Sequence, residues 1–479
     1  MKYHIINSCL AVFVSSFVFI THVCAQNEVL TLSEARRQAL EQNKEIQKAN
    51  VTVQQTGYDM KAYKSNFFPR ISLHATDAYS TSGGDFTLKG GNLPIYSWKA
   101  AAGQYVPNVM IQEDGTPKLL QYAFFPDQKI DIKIKNVFMG GLMLKQPLYM
   151  GGKITAAYNM AKIGHTMAQQ NIRLTESEII VRTDEAYTQA VRAKELTQVA
   201  HSYKELLDEL MKNVKSAVSH GMKTRNDQLK VQVKLNEAEL SIQKAENAYR
   251  LARMNLSQIM GRKDLNYDFD VMSPSDSLSL MPEEAYLMDD IINSSSIDSR
   301  PEVNLLHSKT ALSSQQVKLA KSEFMPNLAL MGGFDYSNGI ELAGKKLLNK
   351  GSGYVAVTLN VPILTFGERT NKIRSAKAKH QLAELEEQDL HEKMQLELTQ
   401  CQNNFNEAQT ELHLCQNSLE QAKENMRLTR KQYDVGLEPL SELLDAQALW
   451  QKCSADLVEA RCQLLLSQTK LRKAAGKLF

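Results

Sequence analysis

Apolar positions along much of this chain recur at alternating intervals of four and three. Met394, Leu398, Cys401, Phe405, Ala408, Leu412, Cys415, Leu419, Ala422, Met426, Thr429 and Tyr433 form one such series. After a short break, Leu443, Ala446, Trp450, Cys453, Leu457, Ala460, Leu464, Ser467, Leu471 and Ala474 form another. In the first half, Leu196, Ala200, Tyr203, Leu207, Leu210, Val214 and Ala217 lead into a break, and Leu235, Ala238, Ile242, Ala245, Tyr249, Ala252, Leu256 and Ile259 follow it. Sustained heptad spacing predicts long helices packed along a seam. The last helix carries a second stripe (Leu444, Ala448, Gln451, Ala455, Val458, Cys462 and Leu465) beside the first. Two adjacent stripes suit a helix with neighbours on both sides, as in a ring. A single wide core-facing stripe has the same appearance.

Four shorter segments alternate with period two. Ile71, Leu73 and Ala75 oppose Ser72, His74 and Thr76. Leu328, Leu330, Phe334 and Tyr336 oppose Asn327, Gly333, Asp335 and Ser337, and Val355, Val357, Leu359 and Val361 oppose Tyr354, Thr358 and Asn360. The fourth segment, 137–146, alternates less cleanly. This pattern fits a barrel with lipid outside and water inside, and equally a soluble sheet with one buried face.

The elements occur twice. Ser65 to Leu73 matches Ser322 to Leu330, and Asn43 to Ile46 matches Arg300 to Val303, both at an offset of 257. Leu144 to Gly152 matches Leu359 to Gly367, and His220-Gly221-Met222 matches Val435-Gly436-Leu437, both at an offset of 215. The change of offset places about 42 extra residues in the first copy, within 82–135, expected as one extended hairpin. Each copy reads helix, strand, strand, very long helix, glycine turn, helix. The long helices, 153–220 and 368–435, span roughly 100 Å each at the α-helical rise. The shorter ones run over 31–65, 222–260, 286–322 and 437–476. Residues 264–299 form an acidic, turn-rich connection, read as a solvated linker. The first repeat thus covers 26–263 and the second 300–479.

Composition narrows the class. Lys and Arg number 56 against 53 Asp and Glu, which excludes a general polyanion-binding surface and hence nucleic acid as a partner. Glycine and proline make up about 7% of the chain against roughly 12% in average proteins, so elements are long and few. The run from Leu10 to Ile20, followed by Val23-Cys24-Ala25, reads as a signal peptide over 1–25 with a mature start at Gln26. Cys24 offers a lipid-anchor position, though His22-Val23 before it matches such a site poorly. No later segment has the length and apolarity of a membrane helix. Of the four remaining cysteines, Cys401, Cys415 and Cys453 lie on the first seams and Cys462 on the second stripe, which favours packing over disulfides or metal.

In its two-fold repeat the chain resembles the TolC family of outer-membrane efflux and secretion channels. The resemblance rests on the order and spacing of Phe68-Pro69 and Met325-Pro326, of the strand exits Pro147–Gly151 and Pro362–Gly367, and of the two glycine turns. Its most specific part is Tyr433-Asp434-Val435-Gly436 followed by Glu442-Leu443-Leu444-Asp445-Ala446-Gln447. It implies a mainly α fold with a small β part. Four strands per chain would contribute to a trimeric 12-stranded outer-membrane barrel, and coiled-coil helices to a periplasmic α-barrel. It also implies a passive duct, with a periplasmic adaptor and an inner-membrane pump as partners, outer-membrane lipid as surroundings, and no cofactor or enzyme chemistry. Pro69, Pro147, Pro326 and Pro362 then mark helix–strand junctions. His220, Gly221, Met222, Val435, Gly436 and Leu437 become adaptor-contacting tips.

Glu442 and Asp445 match the family's closed periplasmic gate. They share a helix face, and three chains would gather six carboxylates. The family usually has aspartate at both positions. The first repeat places Asp227 and Lys230 there instead. Dipole-favoured acids in a first turn would look the same. Pro439 fits the first turn of the returning helix. His380, His391 and the basic run Arg369, Lys372, Arg374, Lys377 and Lys379 lack the company of a metal or phosphate site. The rival reading is an exported coiled-coil scaffold of the cell envelope with no channel.

Overall fold

The computed structural model describes residues 29–80, 83–100, 102–265, 268–272, 297–342 and 345–478. The signal segment, Cys24 and most of the acidic connection lie outside them. In chain order the elements are β1 (Val29–Leu30), α1 (Leu32–Gln42), α2 (Lys44–Lys64), β2 (Arg70–Tyr79), β3 (Gly83–Leu88), β4 (Gly91–Pro94), β5 (Tyr96–Lys99), β6 (Gln104–Pro107), β7 (Val109–Ile111), β8 (Pro117–Leu119), β9 (Tyr122–Phe125), β10 (Gln128–Met150), α3 (Lys153–Ser219), α4 (Arg225–Ile259), β11 (Asp270–Val271), α5 (Pro301–Ser322), β12 (Asn327–Leu342), β13 (Lys345–Asn360), α6 (Glu368–Asp434) and α7 (Leu440–Ala474). The repeat is visible in the lengths: α3 and α6 have 67 residues each, α4 and α7 have 35 each. The chain divides into two compact units, each described by itself.

The first unit draws on residues up to Val53, on Met167–His307 and on residues from Glu386 onward. Here the helix expected over 31–65 is two helices, because Asn43 turns extended at ψ 133°. Its amide donates to the Ile259 carbonyl at 2.7 Å, and its side-chain oxygen accepts from the Glu45 N–H at 2.7 Å. One asparagine thus ends α1, caps α2 and satisfies a terminal carbonyl of α4. Gly261 follows at φ 76°, where a Cβ would lie 2.3 Å from the Gln42 carbonyl oxygen. The acidic connection also departs from expectation. Asp270–Val271 pairs in parallel with Val29–Leu30. Phe269 and Val271 are buried with Leu30, Ala186, Leu256 and Met260. Burial of those apolar groups makes this stretch part of the core.

Helix α7 uses both of its stripes. Leu464 and Leu471 pack on Phe405 and Ala408 of α6. On the other side Cys462 contacts the Thr188 carbonyl, and the Thr469 hydroxyl donates to Asp184 at 2.6 Å, both on α3. Asp184 is fully buried and also receives the Arg36 guanidinium from α1. All four described cysteines are free. Only Cys462 is buried, and burial pushes its thiol up to about 12. Cys401 is partly covered and packs against the Phe405, Ala408, Leu464 and Leu471 cluster, while Cys415 and Cys453 are partly covered in the single chain rather than fully buried as expected.

The second unit comprises Gln54–Thr166 and Ser308–Leu385. Its antiparallel sheet runs β13-β12-β10-β2, with β3 continuing beside the far end of β10. Strand β10 is far longer than the 137–146 read from sequence, and Pro147 lies inside it rather than at its exit. A register shift between Pro147/Ala329 and Tyr149/Leu328 accommodates the missing N–H. The registers align every apolar set on one face: Ile71 and Leu73 beside Leu144 and Leu142, then Leu330 and Phe334, then Val357 and Val355. Glycines on these strands are covered by rings. A Cβ at Gly351 would fall 2.3 Å from the Phe334 ring, and one at Gly333 2.9 Å from the Tyr354 ring. The insertion is three small ladders, β4–β9, β5–β6 and β7–β8, instead of one hairpin.

Both repeats place a histidine–hydroxyl contact between a short and a long helix. Thr56 meets His165 at 3.2 Å, and Ser313 meets His380 at 2.8 Å. These pairs are related by the same two offsets, 257 and 215, that relate the repeats.

Candidate functional site

Two features concentrate exposed or unpaired groups: the glycine turns of the first unit and the sheet of the second. At the first turn the Met222 N–H donates to the Ala217 carbonyl (2.9 Å) and the Gly221 N–H to Val218 (3.1 Å). At the second, Leu437 donates to Gln432 (2.8 Å) and Gly436 to Tyr433 (3.1 Å). Both are Schellman endings, with φ of 74° at Gly221 and 78° at Gly436. A Cβ at either glycine would touch nothing within 4 Å. Glycine is required there by backbone handedness, not by crowding. His220, Gly221, Met222, Val435, Gly436 and Leu437 are all exposed, Met222 by 71% and Leu437 by 77%.

The returning helices start three residues later than read from sequence, and differently. In α4, Thr224 and Asp227 form a capping box, each side chain accepting the other's backbone N–H at 3.2 Å. The hydrogen bond from the Thr224 hydroxyl, chiefly, lowers the Asp227 carboxyl below its usual range. In α7 the cap position is Pro439, which offers no side-chain bond. It precedes the first turn instead of lying in it. Asp227 is therefore occupied as a cap, while its repeat mate Glu442 stands exposed in the first turn of α7. Asp445 is exposed one turn on. Neither carboxylate has a hydrogen bond or ion pair in the single chain. Lys234 on α4 lies within electrostatic reach of Asp445. It is held protonated mainly by its hydrogen bond to Glu237, with Asp445 adding to the effect.

Behind the tips, four helices share one core: Tyr203, Leu207 and Val214 of α3, Val231 and Leu235 of α4, Tyr433 of α6, and Leu440, Leu443 and Leu444 of α7. Two polar contacts tie one hairpin to the other. The Lys223 ammonium sits 4.5 Å above the Tyr433 ring, and Arg430 pairs with Glu209 at 2.5 Å. Sequence reading placed Tyr433 on a seam but missed Lys223, Glu209 and Arg430, since heptad spacing carries no record of which hairpins adjoin.

In the second unit, Pro69 and Pro326 each stand between a helix and a strand, Pro147 lies within β10, and Pro362 follows β13. Among the described residues, the edges β2 and β13 have no partner on their outer sides. The apolar face is open: Ile71, Leu73, Val355, Val357 and Leu359 are all exposed. No described helix is long and apolar enough to cross a membrane. Among the described residues, no group of three His, Cys, Asp or Glu could hold a metal ion.

The family model described as outer membrane efflux protein matches residues 35–262 and 293–477. The chain belongs to the outer membrane efflux protein family. The Vibrio cholerae outer membrane protein TolC is 22% identical over 353 residues, covering 72% of this chain and 77% of its own. The Pseudomonas aeruginosa alkaline protease secretion protein AprF is 22% identical over 345 residues, covering 71% and 70%. The solved Campylobacter jejuni CmeC outer membrane channel shares the fold at a TM-score of 0.69 and 16% identity, covering 94% of this chain and 86% of that one. Outer membrane efflux proteins of this family are channels, and this chain is an outer-membrane factor of the TolC class, an efflux or secretion channel.

Proposed function

We propose that the chain works as one third of a passive exit duct. Three copies close their sheets into a 12-stranded barrel in outer-membrane lipid. Their helices extend into the periplasm, and the hairpin tips meet an adaptor joined to an inner-membrane pump. The supporting observation is the sheet itself, with two unpaired edges and one exposed apolar face. In water both features are costly. A barrel in lipid removes the edges and covers the face. The chain supplies no chemistry of its own, and transport energy comes from the pump.

Glu442 and Asp445 act as the gate in this reading, and the exposed residues at positions 220–222 and 435–437 as the adaptor contact. Six carboxylates gathered on an axis favour cations over anions. The test is a bilayer recording on purified protein. Glu442→Gln with Asp445→Asn should raise conductance or leak several-fold; unchanged conductance removes the gate assignment.

A further inference from the structure

Heptad spacing shows which residues lie on the seam between α6 and α7, and the packing shows which of them face each other. Leu464 packs against Phe405 and Ala408. In an antiparallel helix pair, each step toward the turn on one helix is matched by a step toward it on the other, so this contact fixes every layer of the seam. Layers of large residues (Phe405 with Leu464, Leu412 with Leu457) alternate with layers of small ones. Ala408 falls opposite Ala460 and Ala422 opposite Ala446, and all four are buried. The small layer between those two is Cys415 opposite Cys453.

Two further observations agree with this pairing. The Cys453 thiol lies within electrostatic reach of Cys415. By the offset of 215, the same layer in the first hairpin is Ala200 with Ala238, both buried. Small side chains let helix axes approach to about 8 Å. With Cα atoms about 2.3 Å off each axis, facing Cα atoms come within the roughly 4–7 Å that a disulfide spans. The other two cysteines have no such mate: Cys401 falls opposite Ser467, and Cys462 contacts the Thr188 carbonyl on α3.

Resting on the periplasmic placement of these helices proposed above, we infer that Cys415 and Cys453 form a disulfide site, oxidised after export to a covalent tie across the hairpin that carries Glu442 and Asp445. The structure shows the pair reduced. The co-reactant is, by class, a disulfide-bearing thiol oxidant of the cell envelope. One thiolate attacks the oxidant's disulfide and releases one thiol. The second attacks the mixed disulfide, forms the Cys415–Cys453 bond and releases the other thiol. Two protons and two electrons leave the pair and reduce one disulfide to two thiols. Exported chains meet such oxidants, whereas cytosolic thiols are kept reduced.

The surroundings suit a structural bond rather than an exchange centre. Burial first, then Glu411, Asp456 and the second thiol, hold the Cys415 thiol above its ordinary value, which keeps its thiolate scarce and slows attack. Asp445 lies eight residues before Cys453, about 12 Å at the helical rise. A bond at this layer holds α7 in register on α6 just behind the proposed gate pair, so that this hairpin moves as one rod. The first hairpin, with alanines at the layer, has no such tie.

The test uses the full chain exported by a Gram-negative host, with thiols trapped in acid and alkylated under denaturing conditions before peptide mapping by mass spectrometry. In the outer-membrane fraction most chains should yield Cys415 and Cys453 as one linked peptide pair, with Cys401 and Cys462 alkylated. Free Cys415 and Cys453 in that fraction overturn the inference and leave the duct reading intact. A chain that never reaches that fraction overturns the placement instead. The pairing is then decided on purified native protein treated with diamide, where absence of the linked pair overturns it. Cys415 and Cys453 joined between chains, seen as dimers on non-reducing gels, overturn it as well. Cys415→Ala with Cys453→Ala, which reproduces the first hairpin, should still fold. Reductant should speed protease cleavage of the α6–α7 hairpin about tenfold in the parent and leave that variant unchanged. An equal response in both overturns the tie.

Discussion

Two linked substitutions between the repeats show how charge is balanced at residue scale. In the first repeat Arg182 pairs with Glu45 at 2.9 Å. The equivalent positions in the second are Glu397 and Glu302, two like charges. The conflict is resolved by Arg300, which replaces Asn43 and pairs with both, at 2.8 and 3.0 Å. Arg300 is buried, so removing it strands two carboxylates beside an empty site. Arg300→Ala should cost about 2–3 kcal/mol in chemical denaturation, at or below the low end for breaking a buried pair because Glu397 is half exposed. Arg300→Asn with Glu397→Arg, which restores the first repeat's pattern, should recover most of that loss.

At the scale of elements, all four hairpin helices end in one motif. Gly221, Gly261, Gly436 and Gly476 each have positive φ and each accompany a pair of backward backbone bonds. Starts differ: α4 has a capping box and α7 has none. The Asp227 carboxyl is held below its usual range by Thr224. Its stabilisation is therefore complete above the unfolded value near 3.8 and is lost as pH falls through the lower folded value. Amide protection at the start of α4, taken relative to the intrinsic exchange rate at each pH, should fall below about pH 4, and Asp227→Asn should remove that pH dependence. The matching segment of α7 should show no such step from a cap. Helix type and the ends at glycine turns were legible from heptads and glycines. The break at Asn43 was not, because nothing local to Asn43 announces that Ile259 lies beside it.

For the molecule as a whole, the proposed assembly rests on the edges and the face that one chain leaves open. Detergent-extracted protein should run as a heat-modifiable oligomer on denaturing gels and dissociate to the single mature chain on boiling. A freely soluble monomer would instead favour an envelope scaffold. Candidate site positions were partly legible for the same reason as the fold. The tips follow from turn glycines and the paired acids from spacing on one helix face. Lys223 on Tyr433, Arg430 on Glu209 and Lys234 near Asp445 depend on which hairpins adjoin.

Periodicity, the two repeat offsets and the glycine turns were enough to determine the long hairpin helices, the presence of a sheet and the duplication of the chain. These are local properties: a heptad fixes a helix face, an alternation fixes a strand face, and only glycine takes the left-handed turn cheaply. Tertiary structure alone decided that α7 lies between α3 and α6, that Phe269 and Val271 belong to a core, and that Pro147 sits inside a strand. It also decided that Asp227 is spent as a cap while Glu442 is free. Each of these depends on a partner far away in sequence, and residue type at one position does not encode the identity of a distant neighbour.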